Sequence, residues 1–436
     1  MTMNRRQFVG GVGAAVAAGM VGSRSAEAQG GVRQLSALIQ KGGMGPGAEV
    51  AIKKYEEASG VKVAMTPVPW EAQFEKTMVE FVGRSTTFDV MPIFTSWRGA
   101  MYRFMTDITP MISRFKTDAS AFPKGVWESS KWKGQQYGLP FRLGLEGLFY
   151  YRTDLYAKHK LQVPKTIEEL VQNAEVLTSA KDNVYGYGTQ LGGDPNSFLQ
   201  VQAWHLPYGG RLLRDPDQDQ VSSFDGHGEL MIKILSAWKQ MIDKKWMPQG
   251  VVTWGILDVL TAFQQGLIAQ ATMFSPRVLL VEDPKNSKVA GKAGYELLFS
   301  DPGKASIGPR AVKGDIWHFG VNQWISDARK EAAYKVVEYM SGHDAQLAAA
   351  LTAANGPVRN DVLSDPKFHQ AYPAWRPLRE GLPLFHTGVS VPEQPKLSRV
   401  VSDRIAEVLL GRDKPDTGAR TMWKEMEAVV KESKRA

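Results

Sequence analysis

The sequence predicts an α/β protein with about two domains, and three observations support this prediction. Its 436 residues exceed what one hydrophobic core usually organises, while 43% hydrophobic and 22% charged residues exclude a disordered chain. Short apolar runs alternate with amphipathic helical stretches, a pattern typical of helices packed on largely parallel sheets. Proline and glycine concentrate in connections at 134–144, 300–314 and 355–357, so we expect the chain to cross between domains more than once.

The first elements can be assigned in order from their apolar patterns. Residues 35–39 are a predicted strand, followed by the turn Lys41–Gly43 and a helix to about residue 58. Apolar side chains alternate over 61–65, which predicts a second strand. Residues 89–94 are apolar enough to form a third strand that is buried on both faces.

Five later helices are predicted from apolar residues that recur every three or four positions. Their apolar stripes are interpreted as core faces, because a one-sided stripe is the usual mark of a helix packed on a core. The predicted helices cover 167–177, 230–242, 328–340, 397–408 and 422–430.

The first 28 residues have the layout of an export signal. Arg5 and Arg6 precede an apolar stretch at 8–21, and Ala26–Ala28 resembles a cleavage site. The stretch is shorter than the roughly 20 residues that span a bilayer. The arginine pair resembles a twin-arginine signal, but its flanking residues match only in part, so the Sec route stays open. We therefore expect a periplasmic protein.

Charge and cysteine content exclude several classes of function. The chain has 53 Lys and Arg against 45 Asp and Glu residues, a formal net charge of +8. Removal of the signal leaves about +6, spread without a basic block, so we expect no nucleic-acid partner. The absence of cysteine excludes disulfides, thiolate metal sites and cysteine nucleophiles.

No motif for catalysis or metal binding is convincing. Nucleophile-elbow, His-Glu-x-x-His and P-loop patterns are absent, and no two of the seven histidines are four residues apart. Asp215–Asp219 begins like a calcium loop, but Gln220 and Gly226 stand where that loop needs Gly and Glu. A solvated hairpin turn between Leu212 and Val221 is the better interpretation. We expect no cofactor and no metal.

Tryptophans in turn-rich segments are candidate ligand contacts. Aromatic rings stack on the apolar faces of sugar rings, while polar side chains bind the hydroxyl groups. The alternative for each is a partly buried packing residue. The candidates are Trp70, Trp97, Trp204, Trp254 and Trp317.

Charged and glycine residues near the predicted crossings are further candidates. An arginine presents a rigid fork of donors to paired hydroxyls, a carboxylate or a phosphate, although an interdomain ion pair is an equally good explanation. The helix that follows the first strand could offer free N–H groups to a ligand oxygen. These candidates are Arg142, Glu146, Arg277, Arg359, Lys41 and Gly42.

The order of several motifs resembles the substrate-binding proteins of bacterial ABC importers, namely the extracellular solute-binding family 1 with its maltose- and trehalose-type binders. The most specific match is 132–140, Trp-Lys-Gly-Gln-Gln-Tyr-Gly-Leu-Pro, followed by 148–155, Leu-Phe-Tyr-Tyr-Arg-Thr-Asp-Leu. Weaker matches follow at 164–170, 209–210, 263–266, 331–335, 355–359 and 365–366. Together they cover essentially the whole chain after the signal.

This resemblance implies the two-lobed, type II periplasmic-binding-protein fold, with α/β lobes joined by a hinge of several crossings. We expect lobe 1 to comprise 32–140 and 305–352. Lobe 2 should comprise 141–304 and 353–436, including the C-terminal helices. The implied partners are a small solute and the membrane permease subunits of an ABC importer, and the protein is expected to be a monomer.

The resemblance also implies ligand contacts at particular positions. They are Trp97, Leu145, Glu146, Phe274, Ser275, Trp317 and Arg359, and the prediction adds His318. Sugar binders of this kind often have acidic residues where this chain has Phe94 and Leu145, and Ile316 replaces the glycine of a Gly-Trp pair. Loss of two carboxylate acceptors favours a modified, small or anionic ligand over a neutral disaccharide.

Three hypotheses about function follow. The first is a periplasmic, non-enzymatic receptor that delivers a carbohydrate or polyol to a permease. The second is a receptor for an anionic ligand such as a glycerol phosphate, phosphodiester or acidic sugar. The third is a secreted carbohydrate-active enzyme, which needs two carboxylates about 5 to 10 Å apart. Glu71 and Glu146 are the one pair considered for that role.

Overall fold

The computed structural model describes residues 31–214, 220–299 and 301–433. The predicted signal at 1–28 and the acidic segment Asp215–Asp219 lie outside these residues. On either side of that segment the chain pairs as an antiparallel bridge between Leu213 and Val221, as the hairpin interpretation requires. No described helix combines the length and apolarity that a membrane crossing needs.

Twelve strands occur in the described part of the chain. They are β1 (Gln34–Gln40), β2 (Lys62–Val68), β3 (Val90–Phe94), β4 (Lys131–Trp132), β5 (Gln135–Gln136), β6 (Leu139–Leu145), β7 (Leu148–Arg152), β8 (Gly188–Thr189), β9 (Gln270–Met273), β10 (Ala293–Leu297), β11 (Val312–Val321) and β12 (Phe385–His386).

The α-helices are numbered in the same way. Those before β9 are α1 (Gly45–Ser59), α2 (Trp70–Val82), α3 (Arg98–Met101), α4 (Thr109–Phe115), α5 (Lys124–Glu128), α6 (Thr153–His159), α7 (Ile167–Leu177), α8 (Asn196–His205), α9 (Glu229–Asp243) and α10 (Ile256–Gln264). Those after it are α11 (Val278–Val281), α12 (Asp327–Met340), α13 (His343–Ala353), α14 (Asn360–Leu363), α15 (Pro366–Ala371), α16 (Trp375–Gly381), α17 (Gln394–Leu409) and α18 (Pro415–Ser433).

Two sheets organise two α/β lobes. The first has the order β12-β11-β3-β1-β2, with β6 paired to the other side of β11, and the second has the order β10-β7-β9-β8. Strands β4 and β5 form a separate hairpin. Helices α1, α12 and α13 pack together beside the first sheet, whereas α8, α9, α17 and α18 pack together in the second lobe.

The prediction of largely parallel sheets is right for part of the molecule only. Strand β1 pairs in parallel with β2 and β3, as the pattern of the first 94 residues predicts. In the second sheet only β8 and β9 are parallel, and β11 runs antiparallel to β3 and β6. Strands β7 and β11 enter from the opposite lobe, so no βαβ crossover fixes their direction.

The predicted connection 300–314 coincides with one crossing between the sheets, whereas 134–144 contains β5 and most of β6, so the first crossing lies just after it. The chain leaves the first sheet after β6, enters the second at β7, and returns between β10 and β11. The third connection lies against the first crossing, because Leu143 N donates to Gly356 O at 2.8 Å. The lobe boundaries themselves stay a prediction, and β12, at Phe385–His386, pairs with the first sheet.

The five predicted helical stripes are confirmed as core faces. In α9, Leu235 and Trp238 are fully buried, and in α17 and α18 the same holds for Ile405 and Met422. Helices α7, α9, α17 and α18 contribute to one hydrophobic cluster of the second lobe. The buried face of α12 contributes to the cluster around the first sheet.

Candidate functional site

Strands β6 and β11 are neighbours in the first sheet, and they carry charged, aromatic and glycine residues on one face of that sheet. In β6 and just beyond it, Arg142, Gly144 and Glu146 alternate with apolar residues. In the antiparallel ladder Arg142 lies opposite Trp317, and Gly144 lies opposite Asp315. Since directly opposite residues point to the same face, these side chains share one surface of the sheet.

An aromatic group, defined as Trp70, Phe94, Trp97 and Trp317, covers the first-lobe end of this face. Trp70 stacks on Trp97 with ring centroids 5.0 Å apart, and Phe94 lies 5.0 Å from Trp317. The carboxyl ends of parallel β2 and β3 lie at the same sheet edge, which explains why Trp70 and Trp97 meet. Trp317 is buried, whereas Trp70 and Trp97 are half-buried.

The loop after β9 belongs to the second lobe and packs against this face of the first sheet. The ring of Phe274 fills the space over Gly144, where a Cβ would lie 1.7 Å from a ring carbon. Ser275 Oγ accepts a hydrogen bond from Leu145 N at 3.0 Å. The Arg142 guanidinium lies over the Phe274 ring, 5.2 Å from its centroid. Phe274 and Ser275 therefore join the two lobes at the crossing.

Two buried tyrosines hold this loop in place. The Tyr150 hydroxyl donates to Phe274 O at 3.0 Å, and the Tyr372 hydroxyl donates to Ser275 O at 2.6 Å. Burial raises the pKa of both phenols, so they remain neutral donors at physiological pH. These two hydrogen bonds therefore hold the backbone of the loop at the crossing.

A buried ion pair between Lys313 and Asp315 lies on the same face of the sheet. Lys313 Nζ lies 2.6 Å from Asp315 Oδ2, and both side chains are completely buried. Ser96 Oγ donates to Asp315 Oδ1 at 2.7 Å. Burial raises the pKa of the Asp315 carboxyl, and the Lys313 ammonium opposes this rise.

Three charged residues nearby, here called the Arg–Glu cluster, have no such pairing: Arg142, Glu146 and Arg277. Arg142 and Glu146 are each only 4% exposed. Among the described residues, Nε of both arginines and Oε2 of Glu146 lack a hydrogen-bond partner. Burial lowers the pKa of Arg142 to about 9, helped by the neighbouring Arg277. Burial, then the Asp315 charge, raises the pKa of Glu146 to about 8.

Three other predicted site residues lie outside these groups. Lys41 and Gly42 follow β1 at the same edge as Trp70, with Gly42 left-handed at φ 70°. Lys41 N donates to Val68 O at 2.7 Å, and its side chain is exposed. Trp254 is half-buried in the second lobe, where its ring lies against the backbone of Gly188.

Three further predictions need correction, because the structure gives these residues other contacts. Trp204 is fully buried in the second-lobe core, with edge contacts to Trp238 and Phe299. A residue enclosed in this way cannot stack on a ligand between the lobes.

His318 and Arg359 are also occupied elsewhere. His318 follows Trp317 in β11 and so faces the other side of the sheet, where Nε2 lies 2.8 Å from Ser129 Oγ. Burial lowers its pKa to about 3, so the ring is neutral. Arg359 forms two hydrogen bonds to Asp361, at 2.7 and 3.0 Å, which satisfies the fork that a ligand would need.

Sequence reasoning missed Lys313, Asp315, Ser96 and Tyr372. The signal for the first two was present in the sequence. Lys313 and Asp315 are two positions apart, as Arg142 and Glu146 are four apart, and even spacing places residues on one face of a strand. Ser96 and Tyr372 carry no local signal, since their roles depend on contacts far apart in sequence. No group of three metal-ligating side chains exists in the part of the chain that the structure describes.

Two α/β lobes that share a face of aromatic and charged side chains define a two-lobed binding protein. Comparison with known families agrees, because the sequence model of the bacterial extracellular solute-binding proteins matches residues 41–347. The chain belongs to this family.

Known relatives extend along nearly the whole chain. The "Probable ABC transporter-binding protein" of Deinococcus radiodurans is 24% identical over 387 residues, covering 86% of this chain and 87% of the relative. Maltose-bound MalE3 of T. maritima has a TM-score of 0.79 at 24% identity, covering 90% of this chain and 99% of that one. A solute-binding protein of Agrobacterium radiobacter K84 in complex with ribitol has a TM-score of 0.77 at 21% identity, with 91% and 98% coverage. These structures show that the fold is shared.

Proposed function

We propose that this protein is the periplasmic receptor of an ABC importer and that it binds a carbohydrate or polyol between its lobes. The observation that carries the proposal is the aromatic group, which lies on the same sheet face as buried hydrogen-bonding groups. Half-buried Trp70 and Trp97 offer ring surface, while Arg142 and Glu146 offer polar atoms that have no hydrogen-bond partner among the described residues. The names of the relatives, which include maltose and ribitol complexes, support this ligand class.

Transport needs no chemistry from the receptor. Closure of the lobes on the solute excludes water and strengthens each polar contact. The permease then needs only a higher affinity for the closed form to accept the loaded receptor. Export by the twin-arginine or Sec route would place the monomeric receptor in the periplasm, beside the permease subunits.

The alternative of a secreted carbohydrate-active enzyme has less support. It requires two carboxylates across the cleft, and the side chain of the proposed partner Glu71 lies outside the described residues. Turnover of a glycan by the purified protein, abolished by Glu146→Gln, would replace the receptor proposal.

The aromatic group gives the first test. Mature protein is screened by thermal shift against sugars, polyols and their acids and phosphates, since a solute at 100 times its Kd stabilises by about 2.7 kcal/mol. Trp97→Ala should then weaken the best solute about 30-fold, the loss expected when a contact worth about 2 kcal/mol is removed.

A matched control is Trp324→Ala. Trp324 is also half-buried but lies under Arg84, 5.1 Å from its ring centroid, away from the aromatic group. It should leave the affinity within about twofold of wild type, since distant sites act independently. Equal losses in the two variants, or no stabilisation by any solute, would contradict the proposed function.

A further inference from the structure

The strongest unexplained feature of the molecule is the Arg142 side chain. It is 4% exposed, and its guanidinium forms neither a hydrogen bond nor an ion pair with any described residue. It lies over the ring of Phe274, 5.2 Å from the ring centroid. A buried cation without a counter-ion is costly, so proteins rarely keep one unless something else compensates it.

A second guanidinium increases the imbalance. Arg277 lies in the loop that follows Phe274 and Ser275, and its Nε is also without a hydrogen-bond partner among the described residues. Its charge is close enough to lower the pKa of Arg142 further. Two like charges in a mostly dry space repel each other, and an anion placed between them would remove that repulsion.

The neighbouring acids do not supply this anion. Asp315 is already paired with Lys313 at 2.6 Å and accepts from Ser96. Glu146 forms no ion pair within the described residues, and burial raises its pKa to about 8 although both arginines attract its carboxylate. A single carboxyl can compensate at most one of the two guanidiniums. The described residues of this face therefore leave at least one positive charge without a counter-ion.

We infer that the solute is an acidic carbohydrate or polyol, whose oxyanion lies between the guanidiniums of Arg142 and Arg277 while its carbon skeleton packs on the aromatic group. The inference rests on the proposed function, since it specifies the ligand class of the same site. Paired guanidiniums match the geometry of a carboxylate or a phosphate, and charge-assisted bonds to them are among the stronger ones. A neutral sugar would leave at least one of the two cations uncompensated on closure.

The test uses matched pairs of neutral and acidic solutes, titrated calorimetrically into the mature protein. The probes are D-glucose with D-glucuronate, D-galactose with D-galacturonate, and glycerol with glycerol phosphate, which separates the carboxylate from the phosphate source. In at least one pair the acid should bind tenfold or more tightly than its neutral partner, because only the acid supplies the missing counter-charge.

Variants connect this preference to the arginines. Arg142→Met and Arg277→Met should each weaken the preferred acid about 30-fold or more, and at least about tenfold more than they weaken its neutral partner. The control is Arg152→Met, because Arg152 is a second-lobe arginine whose guanidinium is already paired with Asp154, at 2.7 Å from Nε. It should leave both affinities unchanged. A wild-type circular dichroism spectrum shows that each variant is folded.

The outcomes separate the two proposals. If no acid binds at least tenfold more tightly than its neutral partner, or if Arg142→Met leaves the acid's affinity unchanged, the acidic-ligand inference is wrong while the receptor function stands. If no member of any pair and no solute of the thermal-shift screen binds, the carbohydrate-receptor function fails together with the inference.

Discussion

Two buried charged sites in this molecule have opposite arrangements. At the edge of the first sheet, Asp89 is fully buried and both of its carboxylate oxygens are paired: Arg329 donates from Nε at 2.7 Å and from Nη2 at 2.6 Å, and Ser36 N donates at 2.8 Å. Between the lobes, Arg142 and Arg277 leave Nε without a partner in the described chain.

This difference separates structural charges from functional ones. A charge that holds the fold together is folded along with its counter-ion, because an unpaired buried charge costs several kcal/mol. A charged side chain that binds a ligand keeps its hydrogen-bond donors unpaired in the free protein. The ligand-free protein is therefore destabilised by that unpaired charge until the ligand binds. The missing partners, more than the residue types, therefore support the proposed ligand site.

The largest expected effect is at the paired site. Asp89→Ala should lower the free energy of unfolding by about 3 kcal/mol, because it leaves Arg329 and Ser36 N without their acceptor. Urea denaturation measures this loss, and solute affinity of the folded fraction should stay at the wild-type value. A loss below about 1 kcal/mol would mean that this pair does not hold the fold together.

Removal of a charge from the site of Arg142 and Arg277 should raise the free energy of unfolding rather than lower it. Arg142→Met keeps the packing on Phe274 but removes an uncompensated cation, so the ligand-free protein should gain about 1 to 2 kcal/mol of stability. The measurement is again urea denaturation, without solute. A destabilised Arg142→Met protein would show that Arg142 is compensated in the free receptor and would weaken the distinction between the two sites.

A smaller effect should appear in the pH dependence of stability. The pKa of Glu146 is raised to about 8, above that of an unfolded carboxyl, so the folded protein keeps a proton that the unfolded chain releases. Stability that this group contributes at low pH is lost as pH rises from about 4.5 towards 8. Relative to Glu146→Gln, wild type should lose about 1 kcal/mol of unfolding free energy between pH 6 and 7. Parallel curves for the two proteins would refute a neutral Glu146.

Much of the fold could be predicted from sequence, because its signals are local. Helical stripes such as 230–242 and the three parallel strands depend on residues within about ten positions of each other. The antiparallel second sheet could not be predicted, since β7 pairs with strands more than a hundred residues away. Pairing at that distance is decided by how the lobes pack, which a single sequence does not encode in any short window.

The candidate site was predictable in part for the same reason. Trp70, Trp97, Trp317, Arg142 and the Phe274–Ser275 loop could be selected by residue type and by resemblance, and the structure brings them onto one face. Aromatic and charged residues also serve the core, however, and residue type alone does not reveal which role each has. Trp204 and His318 illustrate this, because only their buried contacts assign them to packing.

The most direct measurement is a crystal structure of the mature protein with the acidic solute that binds best. We expect the carboxylate or phosphate oxygens to lie within about 3 Å of guanidinium nitrogens of both Arg142 and Arg277, with the solute's carbon skeleton against Trp97. A solute bound with its acidic group turned to solvent, and both guanidiniums left without an oxyanion, would contradict the proposed role of the two arginines.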